Sequence, residues 1–272
     1  MERVPIVDFE ADALFRQAAQ RAGLNPDSRW VTGYVDYQWN HSRHAFQCLP
    51  EQVRGQAVLE FGCNFGASSV VLALLGAKVT AVDINPAYLD VARLNARRYG
   101  VADAIEFLHV PDTSSMPFAD DAFDVITCIS VLEYVPSPIL GAVQDEIDRV
   151  LKSGGVIVVA GTSNRLWPRE IHSRRWFVQY LPEFLTRSSK IVRGISPWRV
   201  RFGFGPNYIN VDRHDRGKAY LRARKAMGSG KLRSTVFFCA NAAAQAIGLS
   251  PGLCMPNMAV TLRKITMGQK HK

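Results

Sequence analysis

Residues 57–66 read Ala57-Val58-Leu59-Glu60-Phe61-Gly62-Cys63-Asn64-Phe65-Gly66. An apolar run ends in an acid, and two glycines follow at close spacing. Residues 58–61 have the length and composition of a short buried strand. Gly62 and Gly66 let the backbone turn tightly and approach a ligand where a Cβ would clash. Residues 67–75 then read as a helix with Gly76 as its stop signal. A second apolar run, Lys78-Val79-Thr80-Ala81-Val82-Asp83, also ends in an acid. The unit is therefore strand, glycine loop, helix, strand. It places free backbone N–H groups at a helix N-terminus and an acid where ribose hydroxyls are bound in doubly wound sheets.

The same residues discriminate among nucleoside ligands. A G-x-G-x-x-G loop for a dinucleotide, started at Gly62, needs glycine at positions 64 and 67, where this chain has Asn64 and Ala67. Glu60 would repel a pyrophosphate but suits a cation. S-adenosylmethionine has a sulfonium, an amino group and no phosphate. A glycine turn with no ligand is the plainer alternative.

The chain continues with Asp112-Thr113-Ser114-Ser115-Met116-Pro117-Phe118, then Asp120-Asp121-Ala122-Phe123-Asp124-Val125-Ile126, Val131-Leu132-Glu133-Tyr134-Val135 and Arg149-Val150-Leu151-Lys152-Ser153-Gly154-Gly155. In this order and spacing the series resembles the class I S-adenosylmethionine-dependent methyltransferases, most closely the small-molecule branch of ubiquinone/menaquinone type. The likeness covers roughly residues 50–162 and a tail at 233–266. It implies a Rossmann-like, doubly wound α/β sheet, mostly parallel with an antiparallel last strand, and a helical insert after strand 5. It further implies S-adenosylmethionine held by Glu60, Gly62, Cys63, Asn64 and Gly66 at the loop, Asp83 with Ile84 at the ribose, Asp112 with Thr113 at the adenine, and Ile129 near the methyl. Two positions depart from the family pattern. Asn64 replaces a glycine, although asparagine tolerates left-handed backbone. Tyr134 stands where many relatives carry histidine.

The expected elements are strands 57–61, 78–82, 104–109, 123–130 and 155–161, with helices 67–75, 86–98 and 138–151. Alternation of this kind means a parallel sheet covered on both faces. Asn85-Pro86 is a start signal for the second of these helices. Toward the end, residues 235–247 read as a helix, and 250–255 and 258–265 as two closing strands, which in the family form a hairpin at the sheet edge. Residues 1–50 read as a helical, aromatic cover. The domain is thus expected to comprise 51–163 and 233–272, interrupted by 164–232.

That insert carries the charge. Residues 164–232 hold sixteen Lys/Arg against four acids, a net of +12, while the 272-residue chain is +9, so the remainder is about −3. It also holds ten aromatic residues, including Trp167, Trp176, Phe177 and Tyr180. Such a segment could cover an anionic or lipid-linked acceptor, rest on an anionic membrane surface, or contact nucleic acid. A solvated surface with ordinary core aromatics remains open. Residues 171–185 suggest an amphipathic helix broken at Pro182, and 212–227 a second, basic helix.

The 47% apolar content supports a real core. No apolar stretch approaches the ~20 residues of a spanning helix. The five scattered cysteines lack C-x-x-C pairing, and residues 1–5 lack a signal-peptide pattern. A cytoplasmic protein, peripheral at a membrane at most, is expected, with Cys63 and Cys128 as packing residues.

Methyl transfer from a sulfonium is a displacement in which positioning supplies much of the acceleration. A hydroxyl or acidic-carbon acceptor also needs a base. The histidines at 41, 44, 172 and 214 are the candidates, His172 first and His41 next. No Asn/Asp-Pro-Pro-Tyr and no Pro-Cys follows the fourth strand, and nothing in the chain has clear metal-ligand spacing. That disfavours amide or adenine N-methylation, cytosine C5 chemistry and a metal-dependent mechanism. The rivals are an RNA methyltransferase and a non-catalytic cofactor-binding protein.

Overall fold

The structure, a computed structural model, describes residues 4–47, 49, 53–182, 185, 192–228, 231–246 and 248–265. A seven-stranded sheet has the order β3-β2-β1-β4-β5-β7-β6. Strands β1 (Ala57–Phe61), β2 (Lys78–Asp83), β3 (Ile105–His109), β4 (Phe123–Ile129) and β5 (Leu151–Ser163) run parallel. β6 (Tyr208–Asn210) and β7 (Asn257–Lys264) complete the far edge, and β7 is antiparallel to both β5 and β6. β7 is therefore the one reversed strand, and the fold is the expected Rossmann-like sheet.

Alternation along the strands builds two cores. Val58, Val79, Val125, Val156 and Val158 point to one face, where they meet the helix Ala67–Leu74 and the helix Pro86–Arg98. Leu59, Ile126, Cys128, Ile157 and Val159 point to the other, against the helix Leu140–Val150. In chain order the helices are α1 (Phe9–Arg21), α2 (Tyr34–Gln47), α3 (Ala67–Leu74), α4 (Pro86–Arg98), α5 (Leu140–Val150), α6 (Pro197–Phe202), α7 (Val211–His214), α8 (Lys218–Ala226) and α9 (Lys231–Ala246). Every residue of α3 is buried, as expected of a helix apolar all round and sandwiched between sheet and α2. Each fully buried Leu or Ile contributes about 1.5–3 kcal/mol. α4 starts as its sequence demands, with the Asn85 side chain accepting from Ala87 N–H at 3.1 Å and Pro86 at its first position. α1 is pinned on α4 by the buried Arg98, which pairs with Asp12 and donates to the Thr32 carbonyl at 2.9 Å.

Three expectations change. Residues 251–254 form a 3-10 turn, not a strand, so the edge hairpin does not exist. A Cβ on Gly252 would lie 1.9 Å from the Ala259 carbonyl oxygen, so this segment packs against β7 where strand side chains would not fit. The partner of β7 at the edge is β6, drawn from the insert, whose Ile195, Val200, Phe204 and Tyr208 join the second core. Residues 171–182 are not helical beyond the 3-10 turn Val178–Tyr180, and 183 and 184 lie outside the described residues. The carboxylate of Glu170 takes up the N–H groups of His172 and Ser173, the local competition that opposes helix. The basic helix at 212–227 is broken in two at Arg216 and Gly217, both with positive φ.

Candidate functional site

Strand order places β2 and β3 on one side of β1 and β4 on the other. The gap beyond β1 and β4 is the topological switch point, where open α/β sheets bind ligands. The glycine loop fills this place. Gly62, Asn64 and Gly66 all have left-handed backbone, with φ of 72°, 53° and 75°. Asn64 thus adopts the conformation its side chain best tolerates among non-glycine residues. A Cβ on Gly62 would come within 2.2 Å of Val131 Cγ2, so the loop lies directly on the end of β4. Gly62 and Cys63 both donate N–H to the Val82 carbonyl at 2.9 Å.

Glu60 does not face outward. It is 1% exposed, and its two carboxylate oxygens accept from the Ser68 and Ser69 hydroxyls of α3. Burial pushes its carboxyl up to about 7, against the pull of the two serines. It underlies the loop and does not line its surface. Cys63 is buried, and its thiol is raised well above its usual value by burial and then by Glu60 and Asp83; burial also raises Cys128. Neither thiol suits a nucleophile.

Asp83 bridges the two turns. Its Oδ2 accepts from Asn64 N–H at 2.7 Å and its Oδ1 from Asn85 N–H at 2.9 Å. A carboxylate has about four acceptor sites, so two remain for ribose hydroxyls. Ile84 beside it is 62% exposed, an apolar platform next to that acid. Asp112 is exposed, and hydrogen bonds from the Ser114 hydroxyl and N–H hold its carboxyl below the usual range. Thr113 stands next to it, half-buried, and Ile129 closes β4 as a buried residue. The cradle of left-handed glycines, the acid with spare acceptors and the neighbouring apolar surface together fit an adenosyl ligand.

The chemistry-bearing groups sit just past β4. His172 Nε2 lies 3.0 Å from Glu133 Oε1, with the Glu133 side chain buried and that of His172 30% exposed. The same Oε1 accepts from Ser163 N–H at 3.2 Å, and no protein group bonds the buried Oε2 among the described residues. The His172 ring is 5.7 Å from that of Tyr134. A histidine from the chain after β5 is thereby brought beside Tyr134. Burial favours neutral His172, but Glu133 and then Glu170 overcome it and hold the imidazole above its ordinary value. Burial raises the Tyr134 hydroxyl to about 12, with Glu133 and Glu170 adding to it, so Tyr134 stays protonated.

From the other side, α2 brings Tyr34, a buried hydroxyl in the field of Tyr37, Glu60 and Glu133. Its ring meets Phe65 of the loop at 5.8 Å. Trp39, on the same helix, is buried in the first core. His41 is exposed, stacked on Tyr37 at 4.2 Å with Nδ1 2.7 Å from the Tyr37 carbonyl, and no carboxylate pairs with it among the described residues. His214 is exposed on α7, at the β6 edge. His172 is joined to a buried carboxylate at the switch point. Glu133 carried no assigned role in the sequence; its one signal was an acid in an otherwise apolar turn after a strand.

A family described as "Methyltransferase domain" matches residues 59–159. Ubiquinone biosynthesis O-methyltransferase of Psychrobacter arcticus is 36% identical over 111 residues, 41% of this chain and 42% of that protein. Demethylmenaquinone methyltransferase of Clavibacter sepedonicus is 41% identical over 107 residues, 39% of this chain and 41% of that protein. The matched segment thus spans about two fifths of the length of these relatives. Among solved structures, the YcgJ protein of Bacillus subtilis has a similar fold, with a TM-score of 0.50 at 18% identity, covering 83% of this chain and 99% of that one.

Proposed function

We propose that this chain, whose residues 59–159 match a methyltransferase domain family, uses S-adenosylmethionine to methylate an oxygen of a small or medium-sized acceptor, anionic or lipid-linked, of the kind represented by quinone precursors. The observation that carries the acceptor atom is the His172–Glu133 pair beside the glycine loop.

When bound, S-adenosylmethionine supplies an activated methyl group. The residues divide the remaining work. Gly62, Asn64 and Gly66 shape the loop that would take the cofactor, Asp83 would hold the ribose, and Asp112 with Thr113 would meet the adenine. Glu133 accepts the Nε2 proton of His172, which fixes the tautomer and leaves Nδ1 as the basic nitrogen. His172 then takes the hydroxyl proton of the acceptor at Nδ1, and the buried carboxylate of Glu133 stabilises the imidazolium that results. Tyr34 and Tyr134 border this space with protonated hydroxyls.

The names of the relatives support a quinone-type acceptor, and one of them specifies O-methylation. The test uses methyl-labelled S-adenosylmethionine with a panel of phenolic acceptors bearing short isoprenoid or carboxylate substituents. Methyl should appear on oxygen, and His172→Ala should bind the cofactor normally while losing turnover. Cofactor binding with no transfer to any hydroxyl would overturn the acceptor assignment.

A further inference from the structure

The segment that delivers His172 has an outer side with no part in the site. After Glu170, which is buried, residues 173–177 are exposed in sequence, and Val178 and Gln179 return to the interior. At the turn, Trp176 is 59% exposed, Phe177 60% and Tyr180 51%, with Leu166, Trp167 and Leu181 also exposed. Their rings touch, Trp176 to Phe177 at 6.0 Å and Phe177 to Tyr180 at 6.3 Å. They form one patch, and contiguous apolar patches of this kind mark interaction surfaces.

The patch is held rigidly. Buried Gln179 donates to the carbonyls of Asn164 at 3.1 Å and Trp167 at 2.7 Å and accepts from Gly194 N–H at 3.0 Å. The Tyr180 hydroxyl donates to the Leu166 carbonyl at 2.7 Å, and the Trp167 indole to the Cys254 carbonyl at 2.8 Å. Phe177 sits at the turn with a left-handed φ of 62°, a conformation rare for a bulky residue and usually kept at functional places. The fold thus holds a strained backbone that presents a phenyl ring to solvent.

Charge identifies the occupant. Between residues 165 and 181 there are four arginines (Arg165, Arg169, Arg174 and Arg175) and one acid, Glu170, which is buried. Arg169, Arg174 and Arg175 are exposed around the aromatic turn. Tryptophan and tyrosine suit the bilayer interface, phenylalanine and leucine suit its acyl boundary, and arginines reach headgroup phosphates. The rings tilt on one another at 39–41° and share the surface with aliphatic leucines, an arrangement poor for base stacking. We propose that the turn of residues 166–181 docks on the surface of an anionic lipid bilayer, with Trp176 and Phe177 entering the interface and Arg169, Arg174 and Arg175 contacting headgroups. This surface is separate from methyl transfer and is tested without it.

The experiment is co-sedimentation of the full chain with vesicles of phosphatidylcholine alone and of phosphatidylcholine mixed with phosphatidylglycerol. Wild type should partition strongly only onto the mixed vesicles. Trp176→Ser combined with Phe177→Asn, the asparagine chosen to keep the left-handed backbone, should weaken partitioning at least about tenfold. Arg174→Glu with Arg175→Glu should also weaken it, by about fivefold or more for each cation lost. Both variants should retain wild-type cofactor binding and thermal midpoint, and the arginine variant keeps the test decisive if the aromatic one is poorly folded. Equal partitioning onto both vesicle types, no change in either variant, or tighter binding to single-stranded RNA than to the mixed vesicles would overturn the proposal.

Discussion

Replacing Gly62 by alanine tests the contact on which the site is built. Two costs follow from the geometry. Gly62 has a φ of 72°, and left-handed backbone costs an L-residue about 1–2 kcal/mol. The added Cβ would also lie 2.2 Å from Val131 Cγ2 and 3.0 Å from Val131 Cβ. Forcing a group into such a contact costs about 1–3 kcal/mol. The total of about 2–5 kcal/mol corresponds, at about 2–4 °C per kcal/mol for a chain of this size, to a loss of roughly 4–20 °C in the thermal midpoint. Val131→Ala separates the two costs, because it removes Cγ2 and leaves only the Cβ contact. In that background Gly62→Ala should cost little more than the backbone strain, so the double-mutant cycle should show about 1–3 kcal/mol of coupling. The assay is chemical or thermal unfolding of the four proteins, with cofactor titration by calorimetry alongside. A Gly62→Ala cost that is the same with valine and with alanine at position 131 would refute the close approach of the loop to β4.

Other expectations follow from the charged groups. Glu60 is raised to about 7, so the folded protein holds its proton where the unfolded chain, near 4.5, has lost it; stability therefore falls as pH rises through this window. Glu60→Gln should remove that dependence and stabilise the protein above neutral pH, by up to about 3 kcal/mol; denaturant unfolding at mildly acidic and mildly basic pH measures it, and a glutamine variant less stable than wild type at basic pH would contradict it. His172 is raised above its usual 6.5, so its pairing with Glu133 stabilises fully below that value and is lost as pH climbs through the raised one. The acidic limb of the rate profile should accordingly lie above the ordinary imidazole range. Glu133→Gln should move it down, and His172→Ala should cost about 10²–10⁴ in kcat; an unmoved limb in Glu133→Gln would remove the dyad. Asp83→Ala frees the N–H groups of Asn64 and Asn85 and takes away the ribose acceptor, so calorimetry should show cofactor affinity at least about a hundredfold weaker, the loss of two charge-assisted bonds. Unchanged affinity there would mean the ligand lies elsewhere.

The parts of the molecule legible in the sequence are those set by local chemistry. The strand at 57–61, the strand expected at 104–109 and found at 105–109, the capped start of α4 at Asn85-Pro86 and the left-handed Asn64 are each dictated by a few neighbouring residues, and the loop with Asp83 follows from the spacing of two adjacent strands. What could not be read depends on distant partners. β6 is three residues long, too short to signal a strand, and exists because β7 offers it an edge. Over residues 171–182 the expected helix loses to the Glu170 carboxylate, which accepts two N–H bonds that belong to a turn. Glu133 and His172 are 39 residues apart and meet only because β4 and β5 are neighbours in the sheet. His172 stands out as a base by residue type, but its orienting acid is a property of the fold.

The place of β7 has a consequence for how the molecule is made. β7 lies between β5 and β6, yet follows both by many residues in the chain. While residues 257–264 are still within the ribosome, the long β5 has an open edge and β6 has nothing to pair with. An apolar strand with an unpaired edge is a template for misassociation. Until that strand is made the chain carries an open edge, and its arrival both closes that edge and pairs with β6 of the basic insert.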